Sequence, residues 1–193
     1  MPLLTRPVLT PGALARTEQP VIPTGDGLLL RPWQEEDAPA VHAAFQDPLM
    51  HRFHGRSCES EAEAAEWITR WRRAWAGERE PQWAVVAEGT GLLMGRVALR
   101  QIELADGLAE LAYWTVAQAR GRSVATRSAA ALTHWAFEEI GFHRLELMHS
   151  TANEASCRVA VKAGFAAEGT RRKAYLHLDG WHDMHLHARV RGD

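Results

Sequence analysis

Residues 108–116 read Leu-Ala-Glu-Leu-Ala-Tyr-Trp-Thr-Val, and residues 117–128 read Ala-Gln-Ala-Arg-Gly-Arg-Ser-Val-Ala-Thr-Arg-Ser, before a run from Ala129 to Ile140. The first part mixes aromatic and β-branched residues without Gly or Pro, which predicts a strand. In the last part Ala125, Ala129, Leu132, Ala136 and Ile140 recur at steps of three or four, which predicts one apolar helix face. Between them lies Arg120-Gly121-Arg122-Ser123. Glycine lets the backbone approach a ligand with no Cβ in the way. The N–H groups of residues 121–126 have no partner earlier in the helix and point out from its positive end. Arg120 and Arg122 add two charges. Together these pieces predict an anion site suited to phosphate or pyrophosphate; the plainer alternative is an ordinary strand–helix turn. No Gly-Lys-Ser/Thr follows, so the turn is not a Walker A loop, and Gly-x-Gly-x-x-Gly is missing.

The rest of the chain supplies the elements around that stretch. Leu28 to Trp33 reads as a strand, and residues 35–46 as a helix with Glu35, Glu36 and Asp37 at its positive end. Asp47-Pro48 is read as its stop, followed by a loop, 47–58, that holds His51, Phe53, His54 and Arg56. Ser60-Glu61-Ala62-Glu63 is read as a capping box opening a helix to about Ala76. Strands follow at 82–88 and 92–103 about a Gly89-Thr90-Gly91 turn, with Gly95 marking a bulge or a close backbone approach. A strand at 143–150, a helix at 153–163 and strands at 165–176 and 181–190 complete the order β-α-α-β-β-β-α-β-α-β-β. The fold class predicted is α/β: a mixed, twisted sheet of about seven strands with helices on both faces.

The 193 residues suit one domain. A formal net charge of -2 argues against a nucleic-acid or anionic-membrane partner, and so against a nucleic-acid site built from Arg120, Arg122, Arg171 and Arg172. The two cysteines, Cys58 and Cys157, form no disulfide framework and fit a reducing cytoplasm. No run reaches the ~18 apolar residues of a membrane span, and no apolar signal-peptide core is expected at the start. Residues 1–27 carry prolines 2, 7, 11, 20 and 23 and are read as an extended arm apart from a domain of residues 28–193. The arm is expected to pack on some surface, with a partner subunit as one candidate.

Gln118-Ala119-Arg120-Gly121-Arg122-Ser123 resembles the Gln/Arg-x-x-Gly-x-Gly/Ala acetyl-CoA loop of the GNAT acetyltransferases. Asn153-Glu154-Ala155-Ser156, then Gly164-Phe165 and Glu168-Gly169, then Asp179-Gly180-Trp181-His182-Asp183, are similar to the RimJ/RimL branch, which modifies protein N-termini. The similarity spans about residues 28 to 190 with the motifs in order, and leaves the arm uncovered. Ser123 departs from the family's second small Gly/Ala; serine is small and can cap a helix.

The resemblance implies a GNAT fold and acetyl-CoA as cosubstrate. It implies direct attack by a primary amine in a ternary complex, the amine being a protein N-terminus or a small molecule such as an aminoglycoside or polyamine. In that family the strand before the loop splays, and cofactor pairs with its backbone. Here that strand is Tyr113 to Val116, which implicates Trp114, Thr115 and Val116, with the Val116 N–H aimed at the thioester carbonyl. The loop and helix start, Arg120, Gly121, Arg122, Ser123, Val124, Ala125 and Thr126, would hold the phosphates. Asn153 and Ser156 would lie near the sulfur, and Arg158 near the nucleotide. Glu110 shares a strand face with Val116 by period two and stands at the family's usual general-base position. A Tyr general acid common in the family is replaced by Ala160, so the acid is Ser156 or is dispensed with. An alternative of another class is a CoA-binding module without catalysis.

Three features weigh less. Trp67, Trp71 and Trp75 stripe one helix face, either as core or dimer surface or as a wall of the acceptor pocket. His185 and His187 share a strand face and could ligate a metal, but no Cys or carboxylate stands nearby in a recognisable spacing, so no metal is expected. Cys157 is read as a buried helix thiol.

Overall fold

The computed structural model describes residues 4–193; the first three residues of the arm lie outside the described residues. Eight strands form one sheet: β1 (Ile22–Pro23), β2 (Leu28–Arg31), β3 (Gln82–Ala87), β4 (Leu93–Glu103), β5 (Leu108–Thr115), β6 (Arg144–Ser150), β7 (Ala166–His177) and β8 (Gly180–Val190). Their spatial order is β1-β2-β3-β4-β5-β6-β8-β7. Only β5 and β6 run parallel, joined by a crossover through α4 (Val124–Trp135) as a parallel pair requires. Among the described residues the other α-helices are α1 (Ala38–Ala44), α2 (Pro48–His54), α3 (Glu61–Ala76) and α5 (Glu154–Lys162). The α/β class and strand sequence match expectation, with one strand more than the seven predicted. The extra strand, β1, lies in the proline arm and pairs Ile22 with Leu30.

Two local readings need correction. Residues 47–58 are not all loop. Asp47 caps α2 by accepting a hydrogen bond from the Leu49 amide, and Pro48 occupies the first helical turn, where its fixed φ helps and its missing N–H costs nothing. Asp-Pro there starts a helix as well as ending one. At α3, Ser60 Oγ accepts from the Glu63 amide at 3.1 Å, but Glu63 answers to the Glu59 amide at 2.8 Å rather than to Ser60. The capping box is therefore displaced by one residue on its return side.

The arm packs on its own chain. Leu9 and Leu14 are buried in the core. Glu78 receives the amides of Gly12 and Leu14, both at 2.6 Å, and that of Ala15 at 3.2 Å. The indoles of Trp75 and Trp83 donate to the Thr17 and Pro20 carbonyls at 2.8 and 2.9 Å. Prolines make the segment extended; buried leucines and side-chain acceptors then fix it to the body.

Candidate functional site

The sheet opens where β5 and β6 part. They pair only over Leu108–Glu110 and Arg144–Glu146. Beyond that point β5 stays with β4 as far as Thr115, and β6 stays with β8 as far as Ser150. Amide direction alternates along a strand. The Val116 N–H donates to the Met94 carbonyl at 3.1 Å, so it faces β4 and is already used. The expectation that it serves the thioester is corrected: by the same alternation, the amides of Tyr113 and Thr115 face the gap. Gly95 explains the closeness of β4, because a Cβ there would lie 2.3 Å from the Trp114 carbonyl oxygen.

A groove of about 520 Å³ runs from this gap across the start of α4. It collects most of the cofactor residues predicted from sequence: Trp114, Thr115, Arg120, Gly121, Ser123, Val124, Ala125, Thr126, Asn153, Ser156 and Arg158. Val116 and Arg122 stand outside its lining. Gly121 has φ +73 with no atom within 4 Å of a built Cβ, leaving open space beside the backbone. Ser123 also takes a left-handed conformation, φ 57, and its side chain makes no cap bond. The capping role expected of it is not realised; the position carries the backbone shape a glycine would adopt more readily. Arg120 is paired with Asp47, the cap of α2, so one of the two loop charges is already met by a carboxylate. Asn153 Oδ1 accepts from the Ser156 amide at 3.1 Å and caps α5, while Arg158 pairs with Glu154 at 3.5 Å on the exposed surface.

A second cavity, about 350 Å³, opens on the other side of the gap. The two cavities share Phe53, His54, Tyr113, Trp114, Asn153 and Ser156. Glu110 lines the second cavity and is only 2% exposed. Its Oε1 takes two hydrogen bonds from Arg100, from Nε at 3.1 Å and Nη2 at 2.6 Å. Its Oε2 is buried without a partner. Burial pushes the Glu110 carboxyl up from the ordinary glutamate range, against the opposing pull of Arg100. Burial, then the charges of Arg96, Arg100 and Arg56, hold His54 down at about 3, so its imidazole is neutral near pH 7. Burial raises the Tyr113 phenol to about 12, and its hydroxyl donates to the Ser156 carbonyl at 3.4 Å.

The tryptophan stripe divides between its two readings. Trp75 packs on Trp83 and Trp135 in the core, while Trp67 and Trp71 wall the second cavity. Sequence reasoning missed Arg100 as part of the site, and it read the region of α2 as loop. Arg100 pairs with Glu110 only through the β4–β5 register, which places the two opposite each other.

Known proteins agree with this architecture. Residues 27–166 match the model of the acetyltransferase (GNAT) domain. The chain is 26% identical over 162 residues to the uncharacterized N-acetyltransferase YoaA of Bacillus subtilis, covering 83% of this chain and 90% of that protein. It is 28% identical over 98 residues to the ribosomal-protein-serine acetyltransferase of Escherichia coli, covering 51% and 55%. Among solved structures, RimL, a ribosomal L7/L12 alpha-N-protein acetyltransferase in complex with coenzyme A, superposes with a TM-score of 0.77 at 21% identity, covering 89% of this chain and 98% of that one.

The fold and the family match define an acyltransferase. The chain belongs to the GNAT acetyltransferase family, and its relatives include ribosomal-protein-serine acetyltransferases.

Proposed function

We propose that the chain is an acetyl-CoA-dependent N-acetyltransferase acting on a primary amine, with a protein N-terminus as acceptor. The observation that carries this reading is the meeting of two cavities at Tyr113, Asn153 and Ser156, with Glu110 on the second side only. One cavity suits an elongated anionic cosubstrate. The other suits an amine brought beside a buried carboxylate.

Acetyl-CoA supplies an activated acetyl group when bound. The residues present fit it: the Gly121 cradle and α4 N-terminus receive anionic phosphates, and the amides of Tyr113 and Thr115 offer unpaired donors along the gap. Such an amide, aimed at the developing oxyanion, contributes about 3–4 kcal/mol to a transition state. Glu110 accepts the proton of the incoming ammonium, directly or through a water. The amine lone pair then attacks the thioester carbonyl and the C–S bond breaks, with no acetyl-enzyme. The thiolate leaves as such or takes a proton from Ser156. The polypeptide acceptor is supported by Leu176, Leu178 and Trp181, exposed large apolar residues on the β7–β8 hairpin beside the second cavity, of which Leu176 is itself part of the lining. The small-amine reading draws on the modest size of that cavity. The absence of a transmembrane-length apolar helix among the described residues fits either.

Thiol release from acetyl-CoA, measured with a panel of N-terminal peptides and a panel of small amines, tests the proposal. Peptide-dependent turnover supports it, and turnover with small amines alone replaces the acceptor. Calorimetric titration with acetyl-CoA and CoA, on wild type and Gly121→Glu, tests the groove separately. Micromolar binding lost in the variant is expected; no binding to wild type overturns the cofactor reading.

A further inference from the structure

The fold gathers residues that the sequence scatters. His149 on β6 sits opposite His185 on β8 in the strand register, and His187 follows two residues along on the same face. Cys157 of α5 covers that face, and one donor atom from each of the four lies within 4.8 Å of the others. His149 and His187 are buried, 5% and 2% exposed.

The hydrogen bonds of the two buried rings fix their tautomers. His149 Nδ1 faces the Ser150 carbonyl at 2.9 Å, and His187 Nδ1 faces the Phe165 carbonyl at 3.4 Å. A carbonyl only accepts, so each Nδ1 must carry the proton. Each neutral ring then presents a bare Nε2 lone pair, and the two Nε2 atoms face each other at 3.2 Å. Two acceptors at that distance repel unless a cation lies between them. A backbone carbonyl holding the outer nitrogen while the inner one points inward is the arrangement that orients histidine toward a metal.

We infer that His149, Cys157, His185 and His187 form a tetrahedral site for a divalent zinc-class cation. Three imidazoles and one thiolate suit Zn²⁺. Zinc bond lengths place donors about 3.3–3.7 Å apart, so the Nε2 pair is already near its bound spacing and the remaining donors move in by an ångström or so. Binding leaves all three imidazoles neutral and releases the Cys157 thiol proton to solvent as the S–Zn bond forms. His149 also lines the second cavity, which gives the ion a path from solvent. The sequence reading expected no metal because the third imidazole and the thiol come from β6 and α5, 28 or more residues before the β8 pair. A bound ion would clip α5, and with it Ser156, to the β6–β8 pair.

The test uses the untagged full chain after chelator dialysis, titrated with Zn²⁺ alone by calorimetry and with Co²⁺ by absorbance. One saturable equivalent is expected, with a tetrahedral cobalt spectrum and a thiolate-to-cobalt charge-transfer band. Cys157→Ser should abolish that band. Cys157→Ser and His185→Ala should each weaken Zn²⁺ at least tenfold to a hundredfold, circular dichroism confirming that both variants are folded. The wild-type unfolding temperature should rise with free Zn²⁺. Absence of saturable binding by wild type overturns the inference, because the facing nitrogens would then be bridged by a proton. So does binding unchanged in both variants.

Discussion

The two oxygens of Glu110 live in different surroundings: Oε1 is held by Arg100, and Oε2 is buried and unpartnered. A base needs a free lone pair, so Oε2 is the atom for the proton. Glu110→Gln keeps the shape and removes the basicity, and is expected to lower kcat/KM by about 10²–10⁴. The acid limb of the wild-type rate profile should lie above the ordinary glutamate range, since burial raises this carboxyl. Arg100→Gln removes the main force opposing that rise, so its acid limb should move to higher pH. Profiles of kcat/KM for the three proteins check this, and a limb unmoved by either change excludes Glu110 as base. Glu110 was legible in the sequence because period two put it on the Val116 face and the family resemblance marked that position as the usual base. Its partner was not, since Arg100 stands ten residues away on another strand. The same holds for Val116: only the β4–β5 register reveals that its amide belongs to Met94.

At the scale of elements, the decisive event is the parting of β5 from β6, with β4 pressed hard against β5 on the other side. Gly95→Ala would drive a methyl into the Trp114 carbonyl. Overpacking of this kind costs about 1–3 kcal/mol, and the displaced strand is the one whose Tyr113 and Thr115 amides face the gap. Lower denaturant midpoints, together with a higher KM for acetyl-CoA, are expected; a variant with unchanged stability would show that β4 can yield. The strand and helix order was readable because each element carries its own period and its own turn residues. The helix α2 was not, because Asp-Pro satisfies the rules for ending one helix and for starting the next. Ser123 looked like a cap by type, yet its left-handed backbone leaves the hydroxyl unused.

For the whole molecule, the arm and the pH response matter most. Three amides of the arm converge on one carboxylate, Glu78, and hold it below the usual glutamate range, burial opposing and the Gly12, Leu14 and Ala15 bonds prevailing. Glu78→Ala leaves those amides without their acceptor; hydrogen bonds to a charged group are worth about 1.5–3 kcal/mol. Limited proteolysis should then cut within residues 4–20 sooner than in wild type. Equal protection would assign the arm's anchoring to Leu9 and Leu14 alone. His54 contributes to the acid side of stability. Its folded value is about 3 against an ordinary 6.5, so below pH 6.5 the unfolded chain takes up a proton that the folded chain refuses. The His54 contribution to stability is therefore fully present above pH 6.5 and falls away as the pH drops toward 3. His54→Gln should flatten that part of the unfolding-temperature curve, and a curve of unchanged slope would assign the loss to other groups.

The pairing of Arg120 with Asp47 has a consequence for the order of events at the site. Asp47 caps the helix that carries Phe53 and His54 to the junction of the two cavities. A phosphate settling at the α4 terminus, as the proposed function requires, would compete for the same guanidinium. Whichever anion gains Arg120, the other loses a partner, and the loss is felt at the cap of α2. Under the proposed function, cosubstrate arrival would then be felt at the wall of the acceptor cavity, and by reciprocity an acceptor that holds α2 in place would alter how firmly the cosubstrate is kept. Two cavities that share residues would thus also be joined by a contested charge, which on the proposed function favours one substrate preceding the other.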